Sequence, residues 1–386
     1  MKRVGWVLVL PMLAAGLWWA TARAAETPQA PAPPPSDAQA PAAPYSQSAG
    51  PLEVATVTYD WVDAARERKV PVKIYYPKAG PGPYPIIIFS HGLGGSRDGY
   101  EYLGRYWAGY GFVSVHVQHI GSDSAVWKGV TDPLRVMRDA ADDPRNAINR
   151  PLDVRFAIDQ MIRLNAEEGP LKGRLDTARV GAAGHSFGAY TTLCVAGMVF
   201  ITARGQELSL PDSRIKAAIA MSSPVTATDW PIFDKKFGKI RIPMFHMTGT
   251  RDDSPISKTT AKDRRVPYDH SHGSDQYLVT FEGGDHMIFA GSEFAIGREK
   301  DAEFQRLIRQ GSVAFWEAYL KGDAKAKAWL AGGGFEGVLG AEGKFEHKSP
   351  KPAEANPFAP KLAGDAGPAA GRAPEAPIPV GRAVIP

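Results

Sequence analysis

The chain has 386 residues, 44% hydrophobic and 22% charged, a mix that excludes a wholly disordered chain and a multi-span membrane protein. Its single cysteine, Cys194, excludes an intramolecular disulfide and a cysteine-based zinc site. The formal charge of +4 is mildly basic and invites a nucleic-acid or membrane reading until its source is located.

Most of that charge sits at the start of the chain. Lys2 and Arg3 precede an apolar run from Val4 to Ala20, and Ala22-Arg23-Ala24 follows as a small-x-small cleavage site. Together they predict a secretory signal peptide over 1–24, and hence a periplasmic or secreted protein. Without Lys2, Arg3 and Arg23, 42 basic residues face 41 acidic ones, and no nucleic-acid partner is expected. No membrane span is expected once the leader is removed. Residues 25–52 hold eight prolines and almost no large aliphatic side chains, which predicts an extended linker. Residues 348–386 hold nine more and predict a disordered tail. The catalytic block is therefore expected over 53–347.

Within that block the strand candidates are Val54–Trp61, Val70–Tyr76, Tyr84–Ser90 and Phe112–Val117. Arg179–Ala183, Ile215–Met221, Ile242–Thr248 and Gln276–Phe281 follow. The run Pro85-Ile86-Ile87-Ile88-Phe89 suits a strand buried on both faces of a parallel sheet. Helices are expected at Tyr100–Tyr110, Pro151–Leu164, Ala189–Val199 and Asp301–Leu320, the last stopped by Gly322. Eight strands with interleaved helices predict an α/β fold with a mostly parallel, twisted sheet.

Four short loops carry the chemistry. Gly184-His185-Ser186-Phe187-Gly188 follows a predicted strand and opens a predicted helix, the context of a nucleophile elbow. A serine hydroxyl needs a base, and the base an orienting acid, in the chain order Ser, acid, His. Gly249-Thr250-Arg251-Asp252-Asp253 offers the acid, with Asp252 favoured and Asp253 the alternative. Gly283-Gly284-Asp285-His286 offers the base, His286. The tetrahedral oxyanion requires preorganised donors. The backbone N–H of Phe187 supplies one, and Ser90-His91-Gly92-Leu93-Gly94-Gly95 supplies the other, assigned to Leu93.

SHGLGG, GHSFG, GTRDD and GGDH, in that order, resemble the α/β-hydrolase superfamily over about residues 54–330. SHGLGGSR followed by a Tyr-rich helix, and GHSFGAYT, resemble the branch of platelet-activating-factor acetylhydrolases, dienelactone-hydrolase-like esterases and cutinase-like polyester hydrolases. The resemblance implies an eight-stranded sheet flanked by helices and a triad of Ser186, Asp252 and His286, with Leu93 and Phe187 as oxyanion donors. It implies a serine esterase acting on small or lipid-like esters without metal or organic cofactor; the oligomeric state is open, with a monomer favoured. Polyester activity is not carried over, because the cutinase-like enzymes often hold disulfides that this chain cannot form. A peptidase or amidase on the same triad, or a non-catalytic envelope binding protein, are the alternatives. His116 and His119, and Asp269, His270 and His272, lack a third ligand at a known metal spacing and read as sheet-end or loop residues. Cys194 reads as a small buried apolar residue. Trp127 and Trp230 are candidates for pocket walls, and 119–150 for a partial lid.

Overall fold

The computed structural model describes residues 44–45, 49–201, 205–225, 232–291 and 300–350. The signal peptide, most of the linker, Trp230 and nearly all of the tail lie outside the described residues. In chain order the elements are β1 (Val54–Asp63), β2 (Arg68–Pro77), β3 (Tyr84–Ser90), α1 (Glu101–Gly109), β4 (Val113–Val117), α2 (Pro133–Asp142) and α3 (Pro144–Ala166). Next come β5 (Leu175–His185), α4 (Phe187–Ala196), a hairpin of β6 (Val199–Ile201) and β7 (Glu207–Ser209), β8 (Ile215–Met221), α5 (Phe233–Phe237) and β9 (Met244–Arg251). The chain closes with α6 (Val266–His270), β10 (Gln276–Asp285), α7 (Asp301–Trp316), α8 (Ala324–Ala331), α9 (Gly334–Leu339) and β11 (Gly343–Lys348).

The sheet runs β1-β2-β4-β3-β5-β8-β9-β10-β11. Strands β4, β3, β5, β8, β9 and β10 are mutually parallel, so their C-terminal ends share one edge. Strands β2 and β11 pair antiparallel with the two sides of this set, and β1 pairs antiparallel with β2 at the outer edge. The eight expected strands are all present, and β11 corrects the count to nine. All seven residues of β3 are buried. Ile87 and Phe89 pack with α1 and α7 side chains such as Trp107 and Trp316. Ile86 and Ile88 pack on the other face with Val154, Ile158 and Leu193 from α3 and α4. The two-residue period thus survives inside a continuous apolar run, feeding two cores rather than one core and solvent. Cys194 is fully buried in the second core, which raises its thiol pKa.

Several boundaries differ from expectation: β5 already starts at Leu175, and β9 and β10 run on to Arg251 and Asp285. Helix α3 starts at Pro144, capped by Asp143, which accepts the Arg145 N–H, and it runs through Pro151. The earlier proline takes the helix-start role that the sequence suggested for the later one. The helix after β5 starts at Phe187, directly after the elbow serine. Tyr45, expected in the linker, is buried. Its O–H donates to Glu317 Oε2 at 2.8 Å, and its carbonyl accepts the Tyr106 O–H at 2.9 Å. Helix α7 continues as a π-turn to Lys321, and Gly322 ends it at φ +73°, as expected of a helix-terminating glycine.

Candidate active site

The elbow is a sharp backbone turn between β5 and α4. Ser186 takes φ 56° and ψ −117°, an uncommon conformation for a residue with a side chain, which costs on the order of 1–3 kcal/mol. Its N–H donates to Met221 O at 2.8 Å, tying the turn to the neighbouring strand. A Cβ on Gly188 would stand 1.9 Å from Ser90 O, so this glycine is what lets α4 begin against the end of β3.

From that turn Ser186 Oγ lies 3.0 Å from His286 Nε2, and His286 Nδ1 lies 2.8 Å from Asp252 Oδ1. The hydroxyl donates to Nε2, and Nδ1–H donates to the carboxylate. Asp252 directly follows β9 and His286 directly follows β10, neighbouring parallel strands whose last residues are Gly249-Thr250-Arg251 and Gly283-Gly284-Asp285. Gly249 lets them converge, since a Cβ there would meet Gly284 O at 2.1 Å. Asp253, the alternative acid, is exposed, and its Oδ1 accepts the Ala261 N–H at 2.8 Å.

Asp252 is fully buried. Its Oδ2 accepts the hydroxyls of Ser222 at 2.6 Å and Thr248 at 2.8 Å. Ser222 itself has φ 53°, a second uncommon backbone position beside the site. Arg264 completes the surround, with Nε 3.3 Å from Asp252 Oδ1 and 3.0 Å from Asp252 O. Its Nη1 donates to Ser222 O at 2.9 Å, and its Nη2 lies 3.2 Å from His286 Nδ1. Because Nδ1–H already faces Asp252, that last approach sets a cation against the ring edge rather than making a second hydrogen bond. Burial lowers the Arg264 pKa, while Asp252, Asp253 and Asp263 act to raise it. Neither Ser222 nor Arg264 carried a sequence signal; a serine and a basic residue between loops look like surface.

The loop after β3 bends over the elbow. Gly94, at φ +74°, donates its N–H to Ser122 O at 2.9 Å. Trp127 Nε1 donates to Gly94 O at 2.8 Å, so this tryptophan braces the loop. The segment expected as a partial lid forms a short 3₁₀ turn, Ser124–Val126, then α2 and the first turns of α3. Leu93 N–H and Phe187 N–H donate to no protein acceptor among the described residues. Phe187 is the first residue of α4, where a helical N–H has no partner of its own. Tyr100 links this loop to the base, because its oxygen accepts the Gly92 N–H and lies 2.8 Å from His185 Nδ1. The His185 ring packs on His286 with centroids 4.7 Å apart. Burial holds His185 well below its usual pKa, so it is neutral.

His119, read from sequence as a sheet-end residue, belongs to a second Ser–His–Asp array. Its Nε2 lies 3.0 Å from Ser90 Oγ and its Nδ1 3.0 Å from Asp153 Oδ2. Arg68 Nε reaches the other carboxylate oxygen of Asp153 at 2.8 Å, and Arg66 Nη1 does so at 2.9 Å. Ser90, His119 and Asp153 are all buried. His116 Nδ1 and Nε2 lie 3.1 Å from Gly99 O and Ser114 Oγ. His270 Nδ1 lies 2.6 Å from Asp234 Oδ1. Among the described residues no three His, Cys, Asp or Glu side chains are grouped to hold a metal ion. No helix among them is long and apolar enough to cross a membrane.

The chain is similar to known proteins over part of its length. The sequence profile of platelet-activating factor acetylhydrolase, isoform II, matches residues 55–139, which span β1 to most of α2 and include the loop after β3. Platelet-activating factor acetylhydrolase of Cavia porcellus is 25% identical over 297 residues, 68% of this chain and 63% of its own length. The Bos taurus protein of the same name is 26% identical over 243 residues, 56% of this chain and 50% of its own. A putative phospholipase A2 of Schizosaccharomyces pombe is 31% identical over 157 residues, 30% of this chain and 35% of its own. The chain thus spans between a third and two thirds of the length of these curated relatives.

Proposed function

We propose that this chain, whose mostly parallel α/β fold is that of the α/β-hydrolases and whose sequence resembles the platelet-activating factor acetylhydrolases, is an exported serine hydrolase cleaving lipid-like carboxylic esters. The observation that carries this reading is the line from Ser186 through His286 to Asp252, set beside two backbone N–H groups free of protein acceptors. Ser186 Oγ attacks the ester carbonyl as its proton passes to His286 Nε2. The carbonyl oxygen becomes an oxyanion held by the N–H groups of Leu93 and Phe187. Asp252 keeps the imidazole in the tautomer with Nδ1 protonated and stabilises the imidazolium. His286 then gives its proton to the departing alcohol oxygen, leaving an acyl-Ser186 ester. Water attacks that ester with His286 again accepting a proton, and collapse returns the proton to Ser186 and releases the acid.

The relatives' names direct the substrate towards an acetylated phospholipid, and the chemistry of the site is that of acyl transfer to water. The export half of the proposal rests on the leader-like segment 1–24, and the mass of the mature protein checks it. Turnover of p-nitrophenyl esters from acetate to palmitate, beside an acetylated phospholipid, tests the activity. Ser186→Ala is expected to abolish every turnover in that panel. Retention of turnover by Ser186→Ala overturns the mechanism, and preferential cleavage of a matched anilide overturns the ester assignment.

A further inference from the structure

The two oxyanion donors sit on different elements, the loop after β3 and the start of α4, with more than ninety residues of chain between them. One side chain spans the gap. Arg150, from the interior of α3, is fully buried. Its Nη2 donates to His91 O, its Nη1 to Ser122 Oγ at 2.8 Å, and its Nε to Thr191 Oγ1 at 2.9 Å. Its guanidinium carbon lies 4.5 Å from the centroid of the Phe187 ring. Each contact leads directly to the oxyanion hole. His91 is two residues before Leu93, and Ser122 O receives the Gly94 N–H that shapes the same loop. Thr191 hydroxyl donates to Phe187 O at 2.9 Å, and Phe187 is the second donor residue.

The electrostatics of this arginine are unusual beside those of Arg264. Arg264 lies against the Asp252 carboxylate, whereas no carboxylate oxygen among the described residues approaches Arg150 within ion-pair distance. Asp153, the anion that acts on it from further away, is already engaged by Arg66, Arg68 and His119. A buried guanidinium held by neutral acceptors is costly in the resting protein. Burial lowers its pKa to about 9, which leaves it cationic at neutral pH. A fixed cation of this kind favours a neighbouring site where negative charge develops, and the tetrahedral oxyanion develops between the two loops that it holds.

We propose that Arg150 is the positioning residue of the oxyanion hole: its guanidinium fork fixes Leu93 N–H relative to Phe187 N–H, and its unpaired charge favours the anionic intermediate. This deepens the esterase reading and rests on it. The test compares Arg150→Lys, which keeps the charge and loses the fork, with Arg150→Met, which loses both and keeps similar packing. Folding is checked by thermal melts. Each variant is assayed for kcat and KM, and for affinity towards a trifluoromethyl ketone, whose hemiketal with serine places an oxyanion in the hole. A non-reactive ether analogue of the ester reports ground-state binding.

Loss of one oxyanion donor sets the scale, so kcat is expected to fall about 10-fold in Arg150→Lys and about 100-fold or more in Arg150→Met. KM and ether affinity are expected to stay within about threefold, and ketone affinity to fall in parallel with kcat/KM. A folded variant with kcat within threefold of the parent overturns the proposal. So does a loss confined to KM, or a fall in kcat with ketone affinity unchanged. If Arg150→Met does not fold, Arg150→Lys decides by the same readouts. Parent turnover that survives Ser186→Ala sinks the esterase reading. Ser186-dependent turnover that is indifferent to Arg150 sinks only this inference.

Discussion

The protein holds two Ser–His–Asp arrays with almost the same spacing. Ser186–His286–Asp252 has links of 3.0 and 2.8 Å; Ser90–His119–Asp153 has two of 3.0 Å. They differ in everything around the three side chains. Ser186 and His286 are partly exposed, whereas every member of the second array is sealed. Ser186 stands on a strained turn that lifts its hydroxyl clear of the sheet, while Ser90 ends a regular strand. Free N–H groups lie beside the first serine. Beside the second lies His91, whose Nε2 accepts the His119 N–H at 3.0 Å. The second array therefore supports the loop after β3 from beneath, and hydrogen-bond geometry alone does not make a nucleophile. Access, backbone strain and oxyanion donors do.

The sharpest way to break this comparison is to remove each hydroxyl in turn. Ser186→Ala is expected to lower kcat by at least about 10⁴-fold with little change in stability. Ser90→Ala leaves His119 Nε2 without its partner in the interior, so it should cost about 1–2 kcal/mol of stability. Its kcat should stay within a few-fold of the parent. Ester turnover and urea melts of the two variants measure both effects, and a comparable loss of turnover in both would erase the distinction.

The acids divide in the same way. Asp252→Asn is expected to lower kcat by about 10³- to 10⁴-fold, because the amide no longer holds His286 in the Nδ1–H tautomer. Asp153→Asn should act on stability, by about 2–4 kcal/mol, because it leaves Arg66, Arg68 and His119 around a neutral group. Stopped assays at equal folded fraction separate the two.

What the sequence disclosed follows the same division. The parallel strands were legible because runs such as Ile86-Ile87-Ile88 have few other uses, and the four glycine-rich loops because each sits where a strand ends. Strand β11 was missed because Gly343–Lys348 reads Lys, Phe, Glu, His, Lys, a half-exposed edge pattern lying against a Pro-rich tail. The residues that surround the triad were not legible at all. Arg150, Arg264 and Ser222 are polar types that composition assigns to the surface, and only the fold supplies the buried acceptors that hold them. Tyr45 was hidden likewise, a single aromatic in a proline-rich stretch.

A pH experiment sharpens the structural role of the second array. Burial, reinforced by the Arg150 charge, lowers the His119 pKa to about 3. In the unfolded chain the ring takes a proton near pH 6.5, so between 6.5 and 3 the unfolded state binds a proton that the folded state refuses. The contribution of His119 is therefore complete above pH 6.5 and is lost progressively as pH falls towards 3. His119→Asn keeps a donor for Asp153 and removes that titration. Its urea stability should fall less steeply with acid than the parent's, by up to about 1.4 kcal/mol per pH unit. The remaining slope is kept by His116 and His246, lowered to about 3 and about 4 by burial, and by His91 and His185, which burial also holds well below the usual range. The pH profile of kcat should be unchanged, since His119 touches no reacting atom. A shifted profile would give the second array a part in the chemistry.

The smallest expected effect decides between the two adjacent acids. Asp253 is exposed, and its Oδ1 is spent on the Ala261 N–H, a bond that an asparagine oxygen keeps. What Asp253→Asn removes is one surface charge, which acts on Arg264 from outside and is screened by solvent. The substitution should change kcat by less than about threefold and stability by no more than about 0.5 kcal/mol. Asp252→Asn, one residue away, changes the carboxylate that meets His286, Ser222, Thr248 and Arg264 together. Parallel assays of the pair therefore span about three orders of magnitude on the geometry described here. A large loss in Asp253→Asn with turnover retained in Asp252→Asn would exchange their roles, and would require the acid loop to turn by one residue when substrate binds.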